Sequence, residues 1–179
     1  MWPLTLLLVL GCQTGSPGAT SSSGVKNSLG GFEELNRKYA EMTLGEVGSD
    51  YDVKRFDALS NATDELWTKF PERRSEFMRP WLNTAKGDNT RKALLLGKLL
   101  KADWQKDISA TERSQLEALV CDVIKIDRTN AIVDLCKIAV NQKLKKATPS
   151  LEIASATRKP GANKNTIDDA IKTLSALKY

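Results

Sequence analysis

Acid-base chemistry in this chain would have to proceed without imidazole, because its 179 residues include no histidine. Imidazole is the commonest general base near neutral pH, so its absence excludes a Ser-His-Asp or Cys-His nucleophile and a His-ligated zinc site within this chain. Asp64 with Glu65, and Glu72 with Glu76, lie near an aromatic stripe and are the first candidates for glycan cleavage. The neighbouring lysines and arginines favour helix-surface ion pairs instead. We therefore predict no catalytic residue, no metal and no cofactor.

Cysteines are the next residues with chemical capability, and the first of the three ends an apolar segment. Residues 4–10 match the hydrophobic region of a secretory signal and are far shorter than the ~20 residues of a membrane-spanning helix. The sequence Val9-Leu10-Gly11-Cys12 resembles the lipobox of bacterial lipoproteins. The resemblance implies that residues 1–11 are a signal peptide and that Cys12 is lipidated. An ordinary cleaved secretory signal, with Cys12 incidental, is the alternative.

The residues after Cys12 have the composition of a tether. Residues 12–31 contain almost no large apolar side chains, which predicts a flexible linker with a reach of about 25 Å. By the same resemblance to bacterial lipoproteins, Gln13 in place of an aspartate after the cysteine implies sorting to the outer membrane. We expect a domain that is exported and held by its lipid anchor on the periplasmic face of that membrane.

The rest of the chain, residues 32–179, has the pattern of a single all-α domain. Apolar residues recur at spacings of three to four, and turn residues separate the segments. No alternation typical of strands occurs. The helices are predicted at about residues 32–42, 51–67, 71–85, 90–101, 109–127, 130–144, 151–157 and 165–177. We predict a compact bundle of about six to eight helices, preceded by the flexible tether.

The other two cysteines lie on the two arms of a predicted helical hairpin at residues 109–146. The capping-box sequence Ser109-Ala-Thr-Glu112 opens the first arm, and a turn follows near residue 128. Cys121 and Cys136 are each about seven residues from that turn, so antiparallel arms would place them at the same level. We expect a disulfide between them; two free thiols packed in the core are the alternative.

An aromatic stripe is one candidate contact surface. It recurs at a helical period and comprises Trp67, Phe70, Phe77, Met78 and Trp81, with Trp104 as a further member. Its candidate contact residues are Trp67, Trp81 and Trp104, since tryptophan is common in binding hot spots. Burial in the core is the favoured interpretation, because any helix buries such a stripe.

Positive charge is concentrated in the last quarter of the chain. Residues 137–179 hold nine Lys and Arg against three Asp and Glu, while the whole chain has a net charge of +5. The candidate binding residues are Lys143, Lys145, Lys146, Arg158, Lys159 and Lys164. They suit an acidic partner, an acidic cell-wall polymer or anionic lipid headgroups; solvated helix ends are the alternative. Nucleic acid is not an expected partner, because no binding motif accompanies the charge.

These features favour binding over catalysis. We expect a non-catalytic, membrane-tethered lipoprotein that is an interaction or structural component of a cell-envelope protein complex, of the kind that accompanies a secretion or motility apparatus. An inhibitor or immunity-type protein that binds an exported enzyme is the alternative. A glycan-active enzyme is a third and weaker hypothesis.

Lipidation of Cys12 is directly testable. The intact mass of the membrane-extracted protein should show an acylated N-terminal cysteine, and Cys12→Ser should release the protein into the soluble fraction, because the anchor is lost. A wild-type protein that is soluble and unmodified would contradict the lipobox assignment.

Overall fold

The computed structural model describes residues 23–42, 53–83 and 88–178. Within these ranges the chain forms eight α-helices, two short 3-10 helices and no strand. The α-helices are α1 (Ser23–Glu41), α2 (Val53–Lys69), α3 (Arg74–Leu82), α4 (Asn89–Lys101), α5 (Ala110–Ile126), α6 (Ile132–Asn141), α7 (Thr148–Ala156) and α8 (Ala162–Ser175). The 3-10 helices, Pro71–Arg73 and Lys145–Ala147, directly precede α3 and α7. The predicted all-α bundle is confirmed.

Helix α1 begins earlier than the predicted start of the domain. The linker was predicted over residues 12–31 and the first helix at Phe32, whereas α1 begins at Ser23. Val25, Leu29 and Phe32 follow one another at spacings of four and three, so the apolar pattern of α1 extends upstream of Phe32. The earlier part of the linker, the signal peptide and the lipidation site lie outside the described residues.

Helix α5 is the central element of the bundle. Its apolar residues Leu116, Leu119 and Val123 are fully buried, and it packs mainly against α7 and α3. Its N-terminus is capped as predicted, since the Ser109 hydroxyl accepts a hydrogen bond from the Glu112 N–H at 3.3 Å. The Glu112 carboxylate does not complete the capping box but pairs with Arg74.

The predicted hairpin consists of α5 and α6, and its two arms diverge. Helix α6 packs mainly against α8 and α4, whereas α5 packs against α7 and α3. Contact between α5 and α6 is therefore limited. Residues at equal distances from the turn are not brought face to face by this arrangement.

Helix α6 ends in a left-handed turn that sets the course of the chain toward α7. Lys143 has a φ of 55°, a conformation in which glycine is the usual residue. The Leu144 N–H donates to the Ala139 carbonyl at 2.8 Å, and the Lys143 N–H donates to the Val140 carbonyl at 3.1 Å, which is the Schellman pattern. Burial of the Leu144 side chain holds this turn in place and leaves Lys143 exposed.

Candidate functional site

The six basic residues predicted to bind a partner divide between two concave sites at the two ends of α7. The lysine groove, at the start of α7, has a volume of about 440 Å³ and is lined by Arg113, Glu117, Lys143, Leu144, Lys145, Lys146 and Pro149. The basic cleft, just beyond the end of α7, has a volume of about 380 Å³ and is lined by Arg128, Arg158, Lys159, Lys164 and the start of α8. The single basic segment of the sequence is therefore two surfaces.

Two of the three predicted lysines in the lysine groove have exposed side chains. Lys143 lies on the turn after α6, and Lys146 is 81% exposed, with its Nζ 3.8 Å from Glu117. Lys145 has a structural role, because its Nζ donates to the Leu177 carbonyl at 3.1 Å and so holds the segment that follows α8. Lys143 and Lys146 are thus the residues of this groove that are placed to meet a partner.

The lysine groove adjoins exposed apolar surface. Pro149 lines the groove and Ile153 lies four residues later on α7, hence on the same helix face. Ile153 is 48% exposed, which is unusual among the large apolar side chains of the described residues. The groove therefore combines cationic edges with an apolar flank.

The two arginines of the basic cleft are held in place by backbone carbonyls at the end of α5. Arg158 Nη2 donates to the Asp127 carbonyl at 2.6 Å, and the Arg158 side chain is 10% exposed. Arg128 Nη1 donates to the carbonyls of Lys125 and Asp127 at 2.9 and 3.1 Å. Arg158 was predicted to be a surface contact and is instead largely buried, because it bridges from α7 to α5.

The buried carboxylate of Asp127 lies beneath the cleft and fixes its wall. Asp127 is fully buried and pairs with Lys92 of α4. It also accepts hydrogen bonds from the Thr129 N–H at 2.8 Å and the Thr129 hydroxyl at 3.0 Å. Burial and the neighbouring charge of Arg128 lower the pKa of Arg158. The cleft is therefore a crowded cationic site.

The remaining wall of the cleft is the first turn of α8. The sequence predicted that this helix begins at about residue 165, a start that would place Asp168 and Asp169 in the first turn. The helix instead begins at Ala162, so both aspartates lie beyond the first turn, which has no acidic residue. Gly161 precedes the helix with a φ of 155°, and no side chain caps the turn. The prediction placed the start too late because Gly161, rather than a polar residue, is the N-cap.

Lysines differ in their exposure within the cleft. Lys164 Nζ lies 2.5 Å from the Ser155 hydroxyl and 3.2 Å from Asp168, so it is partly engaged on the α7–α8 face. Lys159 is exposed between the two helices. Lys159 is the lysine that is most accessible to a ligand in the cleft.

The aromatic stripe is part of the core and its rim, which confirms the favoured interpretation of core burial over a contact surface. Trp104 is fully buried, and its indole N–H donates to the Leu99 carbonyl at 3.1 Å. Trp67 and Trp81 are partly buried against the core. Each is covered by an arginine guanidinium 4.2 Å from its ring: Arg74 over Trp67 and Arg91 over Trp81.

Three of the four candidate carboxylates form ion pairs with neighbouring cations. Asp64 pairs with Lys98, Glu65 with Lys69, and Glu76 with Arg73. Among the described residues no group of three or more His, Cys, Asp or Glu side chains is placed to hold a metal. Glu72 is exposed on the 3-10 helix before α3.

Cys121 and Cys136 are separate, free thiols in the structure, which is the arrangement of the alternative to the predicted disulfide. The Cys121 thiol lies near Ser150 of α7, whereas Cys136 is buried near Arg158. The disulfide prediction assumed closely packed antiparallel arms, whereas α5 and α6 diverge. Burial raises the pKa of both thiols, that of Cys136 to about 11.

Two cationic residues, one in the lysine groove and one in the basic cleft, were not predicted from the sequence. Arg113 on α5 and Arg128 on the turn after α5 precede the basic segment in the chain, and the surrounding residues are not enriched in positive charge. Only the packing of α7 against α5 brings them to the two ends of α7. Arg113 and Arg128 could be found from the sequence only if the packing of α7 against α5 were already known.

Comparison of the chain with protein-family models, curated proteins and solved structures finds no significant match. Separately, none of the helices in the described ranges has the length and apolarity needed to cross a bilayer.

Thiol labelling distinguishes the observed arrangement from the predicted bridge. At pH 8, iodoacetamide should modify Cys121 well before Cys136, because Cys121 is partly exposed while Cys136 is 2% exposed. A pKa of about 11 also leaves only about one Cys136 thiol in a thousand ionised at pH 8. Peptide mass mapping without reductant measures both sites.

Detection of two peptides linked by a disulfide between Cys121 and Cys136 would contradict the free thiols of the structure. Labelling of Cys136 before Cys121 would contradict the assigned burial. Raising the pH from 8 to 9 should increase labelling of Cys136 about tenfold in the native protein, since the thiolate fraction rises tenfold per unit below the pKa.

Proposed function

We propose that this protein is a non-catalytic, membrane-tethered helical lipoprotein that binds an acidic protein surface within a cell-envelope assembly. The lysine groove is the contact. The lipid on Cys12 and the linker behind it hold the domain at the periplasmic face of the outer membrane. An accessory component of a secretion or motility apparatus fits this description.

The observation that carries the proposal is the pairing of exposed cations with exposed apolar surface at the start of α7. Lys143 and Lys146 are exposed, while Pro149 and Ile153 share one face of α7 beside them. Protein interfaces commonly combine an apolar centre with a charged rim that steers association. A purely solvated helix end has no need of an exposed isoleucine next to its lysines.

The energetics match a contact that depends on several residues. Exposed ion pairs contribute about 0.2–1 kcal/mol each and are screened by salt. Burying Ile153 in an interface adds roughly 1 kcal/mol for the half of its apolar surface that is exposed. Neither contribution alone gives a stable complex, so charge and apolar contact are expected to act together.

The number of partners separates the proposal from the alternative of an enzyme inhibitor. An assembly component is recovered with several proteins in many copies, whereas an inhibitor or immunity-type protein is recovered with one exported enzyme at equal stoichiometry. Chemical crosslinking in intact cells, followed by purification from solubilised membranes and quantitative mass spectrometry, measures this ratio.

Charge reversal in the lysine groove should release the partner. The double variant Lys143→Glu and Lys146→Glu should reduce recovery of crosslinked partner proteins about tenfold, since two favourable rim contacts become repulsive. Ile153→Ser should also reduce recovery, by removing the apolar contact. The matched control is Lys106→Glu with Lys125→Glu, which changes the net charge equally at exposed positions elsewhere.

Recovery with the control pair should stay within about twofold of wild type, and the loss in the groove variant should shrink as salt is raised. Equal recovery with both double variants would exclude the lysine groove as the contact. Circular dichroism confirms that each variant keeps its helical content.

A further inference from the structure

The basic cleft holds a surplus of positive charge that the fold does not neutralise. Its four cationic side chains, together with Lys92 beneath them, face only two carboxylates, Asp127 and Asp168. No acidic residue lines the cleft itself. Burial and, after it, the charge of Arg128 lower the pKa of Arg158.

The cations of the cleft come from three separate elements and are held by specific contacts. Arg128 is anchored to backbone carbonyls at the end of α5, and Arg158 reaches the same segment from the end of α7. Lys164, on the first turn of α8, is held by Ser155 of α7. This convergence costs electrostatic free energy, and an anion bound among the side chains would recover it.

The dimensions and donors of the cleft suit a compact, multiply charged anion. Its volume is about 380 Å³, which accommodates a tetrahedral oxyanion with a substituent. Guanidinium groups donate in a planar fork that matches phosphate oxygens, and lysine adds a point charge. The uncapped first turn of α8 adds the favourable end of a helix dipole to the same cavity wall. A phosphate monoester has a charge of about −1.5 to −2 and three acceptor oxygens. It therefore matches the several cations of the basic cleft better than a single carboxylate does.

We propose that the basic cleft, formed by Arg128, Arg158, Lys159 and Lys164, binds a phosphate group. The group belongs either to a lipid headgroup or to a small soluble phosphate compound, and both present the same oxygens to the cleft. The site is separate from the lysine groove and adds a ligand-binding function to partner binding.

The test uses the full chain with Cys12→Ser, so that no lipid anchor contributes to binding. In one arm, isothermal titration measures inorganic phosphate at pH 7 against sodium chloride of equal ionic strength. In the other arm, sedimentation measures binding to phosphatidylcholine vesicles with and without about 30% phosphatidic acid, which gives the vesicles a strong negative surface charge.

Lys159→Glu is the diagnostic variant, because Lys159 is exposed and its replacement leaves the anchored arginines in place. Lys159→Glu should weaken binding about tenfold or more in whichever arm detects binding by the parent protein. The matched control, Lys146→Glu, changes the net charge equally in the lysine groove and should stay within about twofold of wild type. Circular dichroism establishes that both variants are folded.

Saturable binding of inorganic phosphate that is lost in Lys159→Glu supports a site for soluble phosphates, and binding only to phosphatidic acid vesicles with the same loss supports a headgroup site. No binding in either arm, or equal weakening by Lys146→Glu, overturns the proposal. The groove variant Lys143→Glu with Lys146→Glu separates the two functions, since it should lose partner recovery and retain phosphate binding.

Discussion

The carboxylate of Asp127 is fully buried at the junction of α4, α5 and α7, and the geometry of the basic cleft depends on it. Lys92 supplies the opposite charge from α4, and Thr129 satisfies the remaining oxygen lone pairs from the following turn. Arg158 closes the arrangement from α7 through the Asp127 backbone carbonyl. A buried charge that loses its partner is strongly destabilising, so these elements are held in one relative position. Arg128, the next residue, is thereby fixed at the edge of the cleft.

Sequence periodicity was sufficient to predict the helical fold because each helix buries an apolar face of its own. The predicted helices between residues 51 and 157 match the observed ones to within a few residues. The first and last helices differ, since α1 extends upstream to Ser23 and α8 begins at Ala162. The start of α8 was predicted too late because Gly161 caps the helix without a side-chain acceptor, so the usual polar N-cap signal is missing there.

The candidate sites could be predicted only in part, because their formation depends on which helices pair. The charge bias identified Lys146 and Lys159 correctly as exposed cations, but it could not show that they lie at opposite ends of α7. The charge bias also gave no reason to expect that the Arg158 side chain is buried against the end of α5. The disulfide between Cys121 and Cys136 was expected from distance along the hairpin, whereas the divergence of α5 and α6 is a property of their packing against other helices.

The most direct test of the role of Asp127 is a double-mutant cycle with Lys92, measured as the free energy of unfolding in urea. Lys92→Met and Asp127→Asn should each cost about 3–5 kcal/mol, because each leaves a buried group without its partner. The double variant should cost clearly less than the sum, with a coupling above about 1 kcal/mol. The exposed pair Arg79 and Asp122 provides the comparison, with an expected coupling below about 1 kcal/mol. Additive losses of under about 1 kcal/mol at Lys92 and Asp127 would contradict a buried ion pair that organises this part of the fold.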